Sequence, residues 1–202
     1  MNRLMRPISV LLMLLVVLLL PANMAYPNGI GKQADNGCLC HGEEKAKQTQ
    51  AYIDGLPEKF EATVTYNLTL SMNSTIADDG ENQGGFTLWH SAGEVISGEG
   101  SKQMEGRLTH TSSGNDQRVW NISWIAPNED DIQVDFQIHV NAVDGNGEST
   151  GDAWSTLVTS ISGKNFSGEI QQPDVPGSSG SIPFIGGLAT LFILGLAARR
   201  FN

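Results

Sequence analysis

From residue 52 to residue 161, apolar and polar side chains alternate with a period of two, and helical spacing is scarce. The clearest run sets Ala62, Val64, Tyr66, Leu68, Leu70 and Met72 against Thr63, Thr65, Asn67, Thr69 and Ser71. A second sets Ile132, Val134, Phe136, Ile138, Val140 and Ala142 against Gln133, Asp135, Gln137, His139 and Asn141. Shorter runs fall at 86–90, 95–97, 107–111, 119–125 and 154–161. About seven strands, parted by Asp/Asn/Gly turns, predict an all-β fold: an antiparallel sandwich whose strands each show one face to the core and one to solvent. Trp120, Ile122 and Trp124 share a face and are expected at the centre of the core. His139 lies on the polar parity and is expected to be solvated. His90 shares the parity of Phe86 and Leu88, and His110 that of Leu108, so both are expected as core-edge histidines held by backbone hydrogen bonds.

The pattern breaks at both ends. Residues 1–25 carry Arg3 and Arg6, then an apolar run from Ile8 to Leu20, then Pro21-Ala-Asn-Met-Ala25. A basic start, an apolar core and small residues after it make a secretory signal helix, cleaved after Ala25 or Ala22. An uncleaved N-terminal anchor is the alternative. Residues 182–198 are uncharged and apolar, at the short limit of roughly 17–25 residues for a transmembrane helix. Arg199-Arg200 follow, and a basic flank belongs on the cytoplasmic side. A buried core helix is the competing reading, disfavoured by the terminal position and by the preceding Pro/Gly/Ser-rich stretch, which is too polar and broken to pack. The expected layout is signal (1–25), an N-terminal extracellular segment (26–51), the sandwich (52–163), a linker (164–181), a membrane anchor (182–198) and a cytoplasmic tail (199–202). That is a single-pass type I protein of the cytoplasmic membrane, facing the exterior.

Charge sharpens this layout. The 202-residue chain has 12 basic and 22 acidic residues, yet four of the basic ones flank the two apolar ends. Residues 26–181 therefore hold all 22 acids and 8 bases, a formal net of −14. Nucleic-acid binding needs a basic footprint, so that class of partner is disfavoured. An acidic domain stays solvated above an anionic membrane surface.

Several segments are individually short but specific in their order: Asp54-Gly-Leu-Pro57, Tyr66-Asn-Leu-Thr-Leu70, Gly85-Phe-Thr-Leu88, Thr109-His-Thr111, Trp120-Asn-Ile-Ser-Trp-Ile-Ala-Pro127 and Asn141-Ala-Val-Asp-Gly-Asn-Gly147 with Gly151-Asp152. With Gly37-Cys-Leu-Cys-His-Gly42, this order resembles the choice-of-anchor V domain family, exported prokaryotic proteins related in pattern to the extracellular reeler domain. The resemblance spans about residues 29–162 and implies an immunoglobulin-like (reeler-like) sandwich at the cell surface. It implies no known activity. The spacer, apolar span and basic end also resemble the C-terminal sorting tails of prokaryotic surface proteins, in some of which a lipid anchor replaces the tail.

Cys38-Leu-Cys40-His41 is the first candidate site. Members of the resembled family often carry Cys-x-x-Cys-His-Gly here, the spacing that attaches a c-type haem. This chain has one residue fewer between its cysteines, a contraction that strains both thioethers. A Cys38–Cys40 disulfide, a metal site using both thiolates and His41 with a fourth ligand from elsewhere, covalent haem, and free thiols or intermolecular pairing are the open readings. Asp144, Asn146, Glu148 and Asp152 are a calcium candidate whose loop begins like an EF-hand and then departs from it, with Ser149 at position six and Ser155 at position twelve. Asn67, Asn73, Asn121 and Asn165 head glycosylation sequons. No hydrolase elbow, zinc-protease helix or phosphate loop is present. The expectation is a non-enzymatic surface binding or adhesion module without a resident cofactor, whose partner is an extracellular protein or carbohydrate. A redox, metal or haem protein built on Cys38, Cys40 and His41 is the alternative.

Overall fold

The computed structural model describes residues 26–41, 45–78 and 80–177. The expected signal helix, transmembrane helix and basic tail lie outside the described residues, as do Gly42 of the Cys-x-Cys-His segment and the last residues of the expected linker. Among the described residues no helix is long and apolar enough to cross a membrane.

The described chain is all-β apart from two 3-10 turns, Lys32–Ala34 and Leu39–His41. Its strands are β1 (Thr49–Asp54), β2 (Lys59–Phe60), β3 (Thr65–Ser74), β4 (Gly84–His90), β5 (Glu94–Ile96), β6 (Ser101–Met104), β7 (Arg107–His110), β8 (Val119–Ile125), β9 (Gln133–Ala142) and β10 (Ala153–Gly163). They form two sheets, one in the order β1-β3-β8-β5 and one in the order β2-β10-β9-β4-β7-β6. Every pairing is antiparallel except the short one between β2 and β10. The seven strands expected from periodicity are all present. The first long run is trimmed at its start: Thr63 takes a left-handed φ of 61°, Glu61 and Val64 close a turn around it, and Val64 is exposed. Strand β3 begins only after that turn.

Apolar faces of the two sheets meet in one core. Trp120, Ile122 and Trp124 of β8 are buried together as expected. Trp124 is the hub, with ring centroids 5.5 Å from Phe60, 5.8 Å from Tyr66 and 5.2 Å from Phe136. Such a large apolar body requires a partner for its indole N–H, and Ala92 O accepts it at 3.1 Å. Trp120 packs on Phe86 with centroids 4.7 Å apart and rings tilted by 45°, and donates to Gly114 O at 2.7 Å.

One expectation about faces is corrected. The polar parity of β9 does not meet solvent: Asp135, Gln137, His139 and Asn141 are all buried. Two flanking segments roof this face. The C-terminal segment, expected to be too polar to pack, lies along β9 as far as Gly177. Gln133 Oε1 accepts from Gln171 N at 2.7 Å and its Nε2 donates back to Gln171 O at 3.0 Å, while Gln137 Nε2 donates to Pro176 O at 3.0 Å. Polarity did not prevent packing because β9 offers matching amides. The N-terminal segment roofs the other half, and the two meet where Gly177 rests against the backbone of Asp35. His139, expected to be solvated, is accordingly 4% exposed, hydrogen-bonded through Nδ1 to Thr156 Oγ1 at 2.7 Å.

Candidate functional site

The N-terminal strap, residues 26–41, owes its position to a series of short polar contacts. Ser112 N donates to Asn28 Oδ1 at 3.2 Å, and Ile30 N donates to Thr109 Oγ1 at 3.1 Å. Asp35 takes a bidentate pair from Arg107, Nε at 2.8 Å and Nη2 at 2.9 Å. Gly37, at φ 108°, lies against the ring of Trp154, where a side chain would collide. The strap then closes in the 3-10 turn that carries Cys38, Leu39, Cys40 and His41, with His41 N donating to Cys38 O at 3.0 Å.

Between strap and sandwich lies a cleft of about 510 Å3. Its walls include Ile30, Leu39, Phe86 and Val143, with Gly84 and Gly85 at the start of β4 and the connection between β9 and β10 at the far rim. Paired glycines opening a strand mark close approach of other groups. At Gly85 the close neighbour is the ring of His110, which occupies the place a Cβ would take.

Two candidate sites separated in sequence converge on this cleft. His41 Nδ1 donates to Asp152 Oδ2 at 2.5 Å, and Asp152's side chain is 1% exposed. The bond leaves His41 Nε2 uncommitted by it. Asp152 Oδ1 also accepts from Asp144 N at 3.3 Å, so one buried carboxylate ties the strap to the β9–β10 loop. Within that loop both Asp144 oxygens accept from Asn146, through N and Nδ2 at 3.0 Å each, and Asn146 Oδ1 accepts from Glu148 N at 2.6 Å. The expected calcium ligands Asp144, Asn146 and Asp152 are thus near one another, with their oxygens turned toward local N–H groups; Glu148 contributes only its backbone to this set. Among the described residues, no three His, Cys, Asp or Glu side chains are grouped so as to hold a metal ion.

Both cysteines are free thiols. Cys38 is half-buried and Cys40 exposed. Burial pushes the Cys38 thiol up to about 12, and the neighbouring Cys40 adds to the rise. Cys38 is therefore held protonated and is a poor nucleophile and a poor metal ligand as it stands.

The remaining histidines are structural, two of them as expected. His110 accepts from Phe86 N through Nδ1 at 3.1 Å, at the point where β7 ends beside β4. Burial lowers its pKa, against opposing hydrogen bonds to the backbone of Phe86 and Tyr26. His90 Nδ1 donates to Ala92 O at 3.0 Å and is likewise lowered by burial.

Two cleft residues were missed in the sequence. Asn141 stands on the polar parity of β9, and Asn115 belongs to the loop before β8, where no local pattern marks it. Both are buried, both line the cleft, and the Oδ1 of each lacks a hydrogen-bond partner. The glycosylation candidates are elsewhere. Asn67, Asn73, Asn121 and Asn165 are all exposed. Asn67 and Asn121 pair with each other's sequons across β3 and β8: Ser123 Oγ donates to Asn67 Oδ1 at 3.0 Å and Thr69 Oγ1 to Asn121 Oδ1 at 2.9 Å.

No family model and no curated protein matches the chain. Among solved structures, the chain is similar to the human F-spondin reeler domain at 18% identity, a TM-score of 0.41, and coverage of 60% of this chain and 91% of that one. It is also similar to a conjugative transposon lipoprotein from Bacteroides eggerthii, at 12% identity and a TM-score of 0.37, covering 57% of this chain and 98% of that one. A third is AggA, the major subunit of aggregative adherence fimbriae type I from Escherichia coli, at 10% identity and a TM-score of 0.39, with coverage of 58% and 96%.

Proposed function

We propose that this protein is an exported, membrane-anchored and non-enzymatic binding module, a reeler-like sandwich facing the cell exterior with the strap-covered cleft as its binding seat. The observation that carries the reading is the cleft itself. It is about 510 Å3, within the 300–1,000 Å3 range of small-ligand sites. Apolar walls surround a few polar groups there, the composition that such sites share. The export reading rests on the basic-apolar-small pattern of residues 1–25, and the anchor on the uncharged stretch 182–198. A non-enzymatic role is supported by the histidines, since His90, His110 and His139 are engaged in structural hydrogen bonds. The partner is an extracellular molecule, carried by a protein or a carbohydrate or free.

The test compares the full-length protein with Val143→Trp, a variant that fills the cleft, on glycan and protein arrays and in a small-molecule thermal-shift screen. A ligand lost in the variant supports the seat. Binding that survives the substitution places the function elsewhere.

One observation favours a second reading, an exported metal or redox protein. A histidine whose Nδ1 is held by a carboxylate is arranged like a metal ligand supported from behind, with Nε2 directed to the ion. Metal analysis and an absorption spectrum of the purified protein decide it. Stoichiometric metal or a Soret band supports this reading, and the absence of both removes it.

A further inference from the structure

We propose that the strap-covered face of the six-stranded sheet docks on the outer leaflet of the membrane that anchors the chain. The proposal rests on reading residues 182–198 as that anchor, and it adds which way the sandwich faces. The C-terminal strap is fastened to the domain as far as Gly177. Pro176 O accepts from Gln137 Nε2, Val175 is buried, and Gly177 rests on the backbone of Asp35 in the N-terminal strap. Only Ser178-Ser-Gly-Ser181 then separates the fastened strap from the apolar stretch.

The five peptide steps from Gly177 to Ile182 reach at most about 18 Å. A helix over 182–198 is about 26 Å long against a hydrocarbon core of about 30 Å, so it lends the tether no extra length. Headgroups fill the first 5–7 Å or so of that reach, which leaves Gly177 within about 13 Å of their surface. What lies beside Gly177 is the strap face. The four-stranded sheet is on the far side of the core, with the sheets about 10 Å apart. It is therefore the face turned away from the bilayer.

Exposed apolar side chains by themselves select no face, since Val119, Tyr52 and Ile96 stand on the four-stranded sheet. The tether selects, and the strap face is equipped for the contact it imposes. Ile170 at 54% and Leu39 at 51% are the most exposed large apolar side chains among the described residues, one on each strap. Val158 of β10 is exposed on the same face, opposite Gln137 in the sheet. Leu39 also forms part of the cleft wall, so docking brings the cleft to headgroup level. Charge permits the approach. Residues 26–48 hold three bases and three acids, so the formal −14 falls on residues 49–181 and an anionic leaflet repels the N-terminal strap least.

The experiment places the full-length protein in phosphatidylcholine nanodiscs, with and without a nitroxide on the lipid headgroup. It reads the quenching of an NBD fluorophore on Cys40, which is exposed beside Leu39. The comparison probe stands on the four-stranded sheet, as Val119→Cys in a Cys40→Ser background. Nitroxide quenching is short-ranged, so strong loss of fluorescence is expected at position 40 and none at position 119. In Leu39→Asp/Ile170→Asp the loss at position 40 shrinks, because docking would then desolvate two charges. The contrast between positions 40 and 119 needs neither aspartate and decides the matter even where that variant fails to fold. Quenching at 119 that equals or exceeds that at 40, or quenching at neither, overturns the docking and leaves the anchor standing. So does quenching at 40 that a folded double variant does not reduce. Protein that elutes apart from the discs overturns both.

Discussion

His41 and Asp152 meet at 2.5 Å although 111 residues separate them, and their contact is the clasp between the N-terminal strap and the β9–β10 loop. The Asp152 side chain is almost wholly buried, so its oxygens rely on the hydrogen-bond partners they find there. A charge-assisted hydrogen bond of this kind stabilises by roughly 1.5–3 kcal/mol. Asp152→Asn is expected to destabilise the fold by that margin, seen as a lower Tm, and to loosen the strap locally. A local effect is read as faster alkylation of Cys38, since that thiol is covered only while the turn is seated. An unchanged Cys38 rate beside a lowered Tm would show that the clasp contributes to global stability alone.

Arg107 and Asp35 form the second fastening. Arg107 is buried at the strap interface and its guanidinium meets Asp35 with two parallel bonds. Asp35 is only partly buried and Arg107 keeps Gly106 O as a partner, so Asp35→Ala is expected to destabilise by about 1.5–3 kcal/mol. The Lys164–Glu61 pair, at 2.8 Å, is a useful contrast because both side chains are largely exposed. Glu61→Gln is expected to leave the urea midpoint unmoved. Urea midpoints of the two variants check the pair of expectations together.

Buried histidine makes the fold sensitive to acid. Burial holds His139 down to about 4, aided by Lys45 and Arg107 and opposed by Asp35. An unfolded chain takes up this proton near pH 6.5 and the folded chain refuses it until about 4. Stability is therefore complete above pH 6.5, falls as pH drops through that window, and levels below it. His139 alone contributes a loss on the order of 3 kcal/mol. His110 and His90, also lowered, add in the same sense. Denaturation midpoints from pH 7 to 4 are expected to fall more steeply for the wild type than for His139→Asn, whatever the variant's starting stability.

The misplacement of His139 shows where sequence pattern stops being informative. Period-two alternation finds the core face of β8, because Trp120, Ile122 and Trp124 must bury somewhere and the opposite parity offers Asn121 and Ser123. It cannot distinguish a polar face in water from a polar face under a strap. Gln133, Asp135, Gln137, His139 and Asn141 alternate as a solvated face does, yet segments 26–41 and 166–177 cover them. Edge strands were also hidden. In β1 only the odd members of Thr49–Asp54 lean inward, and β6, Ser101–Met104, is polar along most of its length. Chemistry at the cleft was half visible: Cys38, Cys40, His41 and Asp152 stand out as residue types, but their convergence depends on a long-range closure that no local spacing encodes. Asn115 had no local signal at all.

Thiol chemistry separates the two cysteines. Cys40 is exposed, whereas Cys38 is half-buried with its pKa raised to about 12. At pH 8 the reduced native protein is expected to alkylate at Cys40 first, with Cys38 reacting at a rate close to that of strap opening. Peptide mapping after timed iodoacetamide exposure measures both. Equal rates would mean that the turn does not shield Cys38.

The C-terminal strap is tested at Gln133, whose amide group touches four partners. Nε2 donates to Asp135 Oδ1 at 2.6 Å, Ser160 Oγ at 3.2 Å and Gln171 O at 3.0 Å, and Oε1 accepts from Gln171 N at 2.7 Å. Gln133→Leu keeps the volume while removing both ends of the reciprocal bond to Gln171. The expected cost is about 1–3 kcal/mol, since Gln171's backbone and the Asp135 carboxylate lose partners together. Where that cost falls is the sharper prediction. Asp174 N still donates to Asp135 Oδ2 at 3.3 Å, and Pro176 O still accepts from Gln137, so the strap is held further along. Hydrogen exchange is therefore expected to quicken at Gln171 while the amides of β9 and β10 keep their protection. Exchange that quickens through β9 as well would show that the strap and the sheet beneath it open as one unit.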